Sequence, residues 1–301
     1  MKPAKSFHPY AMTTILFWAL AFVYTRLGLR HFTALPLGFL RYAVAAVALL
    51  AVALVARIKP PALADQPWFI LAGALGFFLY MVGFNTGLIY VSAATSSVVI
   101  ATTPILTAVM ARFFYGERLR GYQWCAVAVE FAGVVVLALS GGGLSANVGV
   151  LWLLGAAAVL AGYNIVQRRL TRTYSSLQVS TYGIFYGALM LSLFAPAAMG
   201  ELRTAPPVQY LYLAILGVLS SAAAYLCWAK AFALAEKTSQ VSNYMFITPL
   251  LTGVLGFLLA GEVPDSATLL GGVIILGGML LFNKQSFMPR AGAHNRADIK
   301  K

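Results

Sequence analysis

Apolar residues run along this chain in long blocks, and polar residues gather in the short joints between them. Crossing the hydrocarbon core of a bilayer as a helix takes about 20 apolar residues. By that measure ten spanning helices are predicted, over 9–29, 34–57, 67–90, 94–115, 119–140, 147–167, 177–199, 208–234, 238–260 and 267–284. Lys59-Pro60-Pro61, Gly141-Gly142-Gly143 and Pro206-Pro207 mark three joints, because proline and glycine interrupt helices. The joint near Tyr90–Ala94 carries no charge, and only the length of the 67–115 run divides it.

The blocks repeat. Thr103-Pro104 lies inside a run that ends at Gly116-Glu117, and Thr248-Pro249 inside one that ends at Gly261-Glu262, an offset of 145 in each case. The same offset aligns Leu106 with Leu251, Thr107 with Thr252, Tyr80 with Tyr225 and Gly133 with Gly278. Two units are therefore expected, 1–144 holding spans 1–5 and 145–287 holding spans 6–10, followed by a basic, disordered cytoplasmic tail over 288–301. Five is an odd number, so the second unit enters the membrane upside down relative to the first. The predicted architecture is an all-α integral membrane protein of ten transmembrane helices in two inverted five-helix repeats, with a site between them.

Composition and charge agree with this picture. The chain is 61% hydrophobic and 10% charged, with a mean hydropathy of +0.83, whereas a soluble domain carries about 25% charged residues. The net charge of +13 is spread over short loops, without the single basic face that nucleic-acid binding needs. With the N-terminus in the cytoplasm, Lys2, Lys5, Arg57, Lys59, Arg118, Arg120, Arg168, Arg169, Arg172, Lys237, Lys284, Arg290, Arg296, Lys300 and Lys301 all fall inside. Only Arg30 and Arg203 fall outside, beside Glu201, Glu262 and Asp265. That imbalance satisfies the positive-inside rule and places both termini in the cytoplasm. No cleavable signal peptide is expected, since the apolar stretch after the basic start continues to Leu29, long enough to span. Cys125, Cys227 and the histidines His8, His31 and His294 form no metal-ligand pattern. No metal or cofactor is expected.

The segment from Ser92-Ala93-Ala94-Thr95-Ser96-Ser97 through Thr103-Pro104 to Gly116-Glu117-Arg118 resembles the EamA repeat of the drug/metabolite transporter superfamily. Lys237-Thr238-Ser239-Gln240-Val241-Ser242 through Thr248-Pro249 to Gly261-Glu262 resembles the second copy. The resemblance covers 10–284, nearly the whole chain. Within the superfamily the chain is most similar to the YddG type of bacterial aromatic amino-acid exporter. This resemblance implies a multi-pass protein of the bacterial inner membrane, with spans 1–4 and 6–9 around a central cavity and spans 5 and 10 at the periphery. It implies export of a small amphiphilic metabolite, aromatic amino acids foremost, by alternating access; another metabolite or a hydrophobic drug is the alternative cargo.

Candidate substrate-binding side chains are the aromatic and polar groups near span centres: Trp18, Tyr80, Phe84, Asn85, Ser97, Tyr163, Asn164, Tyr225, Trp228, Asn243 and Tyr244. Tryptophan and tyrosine usually sit at bilayer interfaces, and deeper ones need a partner for their N–H or O–H. Together these residues suit a cavity for a flat apolar solute; singly, each amide or serine also serves to join helices. Lys230, near the inner end of span 8, either snorkels or draws a substrate carboxylate to the cytoplasmic mouth. Arg112 reads as a snorkelling residue. Pro104 and Pro249 push away the carbonyls of Ile100 and Met245. Either proline alone reads as a packing kink; the matched pair reads as a hinge or cavity wall, with a polar cavity, water or a substrate ammonium satisfying those carbonyls.

Three further features complete the reading. Glu130 stands near the bilayer midplane in span 5, where a carboxylate needs a partner; Arg41 and Arg26 are candidates, and a structural role is expected. Gly133, Gly271, Gly272, Gly277 and Gly278 give spans 5 and 10 small faces, suited to close packing on lipid-embedded neighbours within the chain or in a homo-oligomer. Glu117 and Glu262 are expected to fix loop geometry. An integral membrane enzyme needs converging acid, histidine or cysteine groups, and the central spans offer Glu130 alone. A channel needs rings of charge or ordered carbonyls, and no such segment is present.

Overall fold

The computed structural model describes residues 6–116, 119–139, 147–236 and 238–282. Lys2, Lys5, Glu117, Arg118, Gly141 to Gly143, Lys237 and everything from residue 283 onward, including the expected tail, lie outside the described residues.

Among the described residues every regular element is helical. In chain order they are α1 (His8–Gly28), α2 (Ala34–Ala56), α3 (Leu63–Tyr90), α4 (Ala93–Tyr115), α5 (Gly121–Ala138), α6 (Val148–Leu170), α7 (Ser176–Arg203), α8 (Pro207–Leu234), α9 (Gln240–Ala260) and α10 (Ser266–Phe282). Eight are long and apolar enough to cross a membrane; α5 and α10 are shorter apolar helices. The α7 helix runs past its expected end because a 3₁₀ turn, Ser192–Phe194, leads into a further helix, Ala195–Arg203, with proline in its first turn. A proline there sacrifices no hydrogen bond.

The 145-residue offset recurs in the backbone. Within α4, one half-helix covers Ala93–Ile100 and a second Thr103–Tyr115, with Pro104 in the first turn of the second. Around α9 the matching sequence is a short helix, Thr238–Ser242, a 3₁₀ stretch, Asn243–Ile247, and a helix, Thr248–Ala260, again with proline in the first turn. The two second halves are each 13 residues long and end on left-handed glycines, Gly116 at φ 67° and Gly261 at φ 66°, a conformation glycine adopts without steric cost. Both α3 and α8 contain a π-helical stretch, Ala74–Leu79 and Ile215–Ala223. Such stretches are frequent at functional sites.

The prolines do not leave carbonyls waiting for a ligand. Ile100 O accepts the Thr103 hydroxyl at 2.6 Å, and Met245 O accepts the Thr248 amide. The helix breaks satisfy themselves locally, which corrects the expectation that water or substrate would do so.

The glycine faces are used within the chain, between α5 and α10. A Cβ on Gly133 would lie 2.9 Å from the Gly271 carbonyl oxygen, and one on Gly278 would lie 3.0 Å from that of Ala126. Gly277 faces open space instead. Glu130 enters this seam, only 1% exposed, and neither carboxylate oxygen finds a hydrogen-bond partner among the described residues. Its two expected partners are engaged elsewhere: Arg26 pairs with Glu262 and Arg41 bonds Ser221. Both helices stay clear of the central hollow described next.

Candidate functional site

Helices α1, α2, α3 and α4 from the first half of the chain and α6, α8 and α9 from the second converge on a central hollow. Trp18 and Phe22 of α1, Tyr80 and Phe84 of α3 and Tyr225 of α8 form its aromatic walls. The breaks of α4 and α9 border it through Ser97, Ile100, Ala101, Met245 and Thr248. Trp18 packs 5.3 Å from Tyr225, Tyr80 stacks on Phe84 at 5.2 Å, and Phe22 meets Phe84 edge-on at 5.0 Å, the offset and edge geometries that aromatic quadrupoles favour. The hollow is nearly shut. Its free volume is ≈ 10 Å³, about what one water requires.

One charged group lines it. Arg41 of α2 is 2% exposed; its Nε–H donates to Ser221 Oγ at 2.7 Å and its Nη2–H to the Ser220 carbonyl at 3.3 Å. Both serines belong to the π-helical stretch of α8. Among the described residues Nη1 has no hydrogen-bond partner, the guanidinium lies over the Tyr42 ring at 5.6 Å from its centroid, and no acid is among the residues lining the hollow. A buried cation without a counter-anion is costly, and in a membrane helix such a group marks function by default. Two more unpartnered polar atoms line the same space, Trp18 Nε1 and Thr248 Oγ1. Thr248 occupies the repeat position of Thr103, but the Thr103 hydroxyl is bonded to its own helix. Sequence reasoning weighed Arg41 only as a partner for Glu130. The sequence shows an arginine embedded in a span, but only the fold shows that Glu130 does not reach it.

Of the residues predicted to bind substrate, Trp18, Tyr80, Phe84, Ser97 and Tyr225 are brought together in the hollow. Others stand behind it. Trp228 Nε1–H donates to Asn164 Oδ1 at 3.2 Å, and Asn164 Nδ2–H donates to Thr107 Oγ1 at 3.2 Å, which ties α8, α6 and α4 together. Tyr163 packs on Phe77 and Tyr225. Asn85 donates to the Ala34 carbonyl at 2.7 Å and so holds the start of α2. Tyr244 hydrogen-bonds His8 near the beginning of α1. Asn243 and Lys230 are half-buried and are not among the lining residues. Pro249 faces a different hollow, and Pro104 is buried within α4.

Polar ties join helix ends at both ends of the bundle. Where α1 and α9 finish, Glu262 pairs with Arg26 at 3.3 Å and accepts the Ala93 amide at 2.9 Å, while Arg26 also donates to the Leu88 carbonyl at 2.6 Å. One glutamate thus joins α1, the start of α4 and the end of α9, more than the loop-fixing role expected of it. At the other end Arg168 of α6 hydrogen-bonds Thr238 and stacks over Tyr115, 4.9 Å from its ring centroid, and Tyr115 O–H donates to the Ile165 carbonyl at 2.8 Å.

A second hollow, ≈ 550 Å³ by the same measure, lies between α4, α9 and α10. It is almost wholly apolar, and its one hydroxyl, on Thr268, is already bonded to Thr95 at 2.7 Å. Binding sites combine apolar walls with a few convergent polar groups, which favours the smaller, central hollow.

A helical bundle with spanning-length apolar helices, broken at matched positions around a central hollow, defines a multi-pass membrane protein. Its sequence matches the EamA-like transporter family over 6–139 and again over 147–284, so the chain belongs to that family and is a membrane transporter. It is 32% identical to the "Probable terminal-alkyne amino-acid exporter" of Streptantibioticus cattleyicolor, over 97% of this chain and 98% of that one. It is 31% identical to the uncharacterized transporter YdfC of Bacillus subtilis, over 87% and 86% of the two chains. Its identity to an S-adenosylmethionine uptake transporter of Rickettsia prowazekii is 28%, over 70% of this chain and 69% of the other. A solved crystal structure, 20% identical, shares the fold with a TM-score of 0.63, over 92% of this chain and 96% of its own.

Proposed function

We propose that this transporter exports small amphiphilic carboxylates, aromatic amino acids foremost, across the bacterial inner membrane by alternating access. In this reading all ten helices span, the halves are inverted repeats meeting at the central hollow, and both chain ends are cytoplasmic. The Arg26–Glu262 end then faces outward and the Arg168–Tyr115 end faces the cytoplasm. The single observation that carries the cargo assignment is the unpartnered Nη1 of buried Arg41 among aromatic walls. A planar carboxylate satisfies a guanidinium in paired, charge-assisted hydrogen bonds, and Trp18, Tyr80, Phe84 and Tyr225 supply flat apolar surface for the side chain. Both cargoes named for the relatives, an alkyne amino acid and S-adenosylmethionine, carry an α-carboxylate.

The test is counterflow in proteoliposomes with a panel of amino acids. Arg41→Gln is expected to lower phenylalanine counterflow at least about tenfold, the loss of one buried charge-assisted contact worth about 1.5–3 kcal/mol. Trp18→Ala is expected to erase the preference for aromatic over small side chains. Wild-type rates in folded Arg41→Gln protein would refute the assignment.

A further inference from the structure

Recognition of an amino acid poses two electrostatic problems, one at its carboxylate and one at its ammonium group. The hollow addresses only the first. Its one charged lining group is a cation, and two of its three unpartnered polar atoms, Arg41 Nη1 and Trp18 Nε1, can only donate. Thr248 Oγ1 alone among the three can accept a hydrogen bond.

The acids among the described residues lie elsewhere. Glu262 holds Arg26, Glu201 receives the amide and hydroxyl of Thr33 at 2.9 and 2.6 Å, Asp65 receives the Tyr174 hydroxyl at 2.6 Å, and Asp265 caps α10 through the Thr268 amide at 2.7 Å. Glu130 lies in the α5–α10 seam and Glu236 is exposed in a loop.

Arginine stays protonated in proteins, so the balance of charge follows directly. A monoanion in the hollow leaves the buried pair neutral. A zwitterion cancels the arginine but brings an ammonium that must be buried among hydroxyls and aromatic faces with no carboxylate to pair with. An ion without a full partner is penalised in low dielectric, and cation–π contact returns only part of that penalty.

Resting on the carboxylate role of Arg41 proposed above, we infer that the site selects the anion and not the amino group. Aryl- and alkyl-monocarboxylates that lack the α-amino group, such as 3-phenylpropanoate, are ligands at least as good as the matching amino acid. Cargo without a carboxylate is rejected.

Thermal unfolding of the purified full-length protein in detergent at pH 7.5 tests this with three probes of one shape: 3-phenylpropanoate, phenylalanine and phenethylamine. A ligand at free concentration c that binds only the folded state stabilises it by RT ln(1 + c/Kd) and so raises the midpoint. The expected order of half-saturating concentrations is phenylpropanoate at or below phenylalanine, with phenethylamine at least about tenfold weaker. Arg41→Gln should abolish the first two responses while keeping a cooperative transition of its own, and Arg41→Lys should restore part of them. If phenylpropanoate is at least tenfold weaker than phenylalanine while both depend on Arg41, the site reads the amino group: this inference falls and the carboxylate reading survives. If phenethylamine matches phenylalanine and Arg41→Gln changes nothing, both fall. An absence of response to all three probes also overturns the inference.

Discussion

Arg41 and Asn164 show how differently buried polar side chains are used in this protein. Arg41 is left with an open Nη1, whereas Asn164 is consumed by Trp228 and Thr107. Substitutions should separate these roles. Arg41→Gln removes a buried charge and keeps a donor within reach of Ser221, so the substrate-free protein should unfold at a higher temperature even as transport fails. A lowered midpoint by scanning calorimetry would contradict this. Trp228→Phe strands Asn164 Oδ1 and should cost about 1–3 kcal/mol of stability while leaving cargo preference intact, in contrast to Trp18→Ala. Outside the membrane, hydrogen bonds from the Thr268 side chain and amide hold the Asp265 carboxyl below its ordinary value. A depressed pKa contributes stability that is full above the unfolded value, about 3.9, and is lost as pH falls through the folded one. The acid limb of a pH–stability curve below about pH 4 should therefore flatten in Asp265→Asn. The aromatic residues of the site could be read from the sequence, since rings at mid-span depth are conspicuous. Arg41 could not be assigned there, because an unpaired charge is defined by which acids fail to reach it.

Helices in this bundle are shaped by small residues and prolines whose effect depends on where along the element they fall. Pro104 and Pro249 open second half-helices, where the missing N–H costs nothing. The glycines of α5 and α10 divide sharply. Gly133→Val would force a branched side chain toward the Gly271 carbonyl, 2.9 Å from the new Cβ, while Gly277→Val would meet nothing within 4 Å. The first is expected to destabilise by about 1–3 kcal/mol, the usual range for overpacking, and the second to be silent in a detergent denaturation series. Equal effects would contradict the packing described. Sequence predicted small faces on both helices without saying what they would touch. Contact between α5 and α10 required the folded chain, because their residues are far apart along it.

The alternating access proposed above is a property of the whole molecule. Glu262 holds α1, the start of α4 and the end of α9 at one end, and Arg168 and Tyr115 tie the other. With both ends of the bundle tied and ≈ 10 Å³ free inside, this conformation leaves no room for cargo in the hollow. Loosening one end should bias the population toward opening there. Glu262→Gln is thus expected to increase labelling of a Ser97→Cys reporter by a membrane-impermeant thiol reagent added from outside. Unchanged labelling would disconnect this ion pair from gating. Labelling of cysteines placed at the two chain ends tests the inverted arrangement itself; ends on opposite faces would refute it.

Spanning blocks, their short joints and the 145-residue echo were determined by the sequence alone, because hydropathy accumulates residue by residue and a duplicated motif is visible without folding. The paired helix breaks at Pro104 and Pro249 followed from the same local chemistry. Tertiary structure decided what those elements enclose. The Arg41–Ser221 bond spans 180 residues of chain, and the Nη1 left over beside it exists only once α2 and α8 have met. Whether a buried polar group is satisfied depends on every neighbour that folding delivers, so the chemistry of the hollow was a property of the assembled bundle.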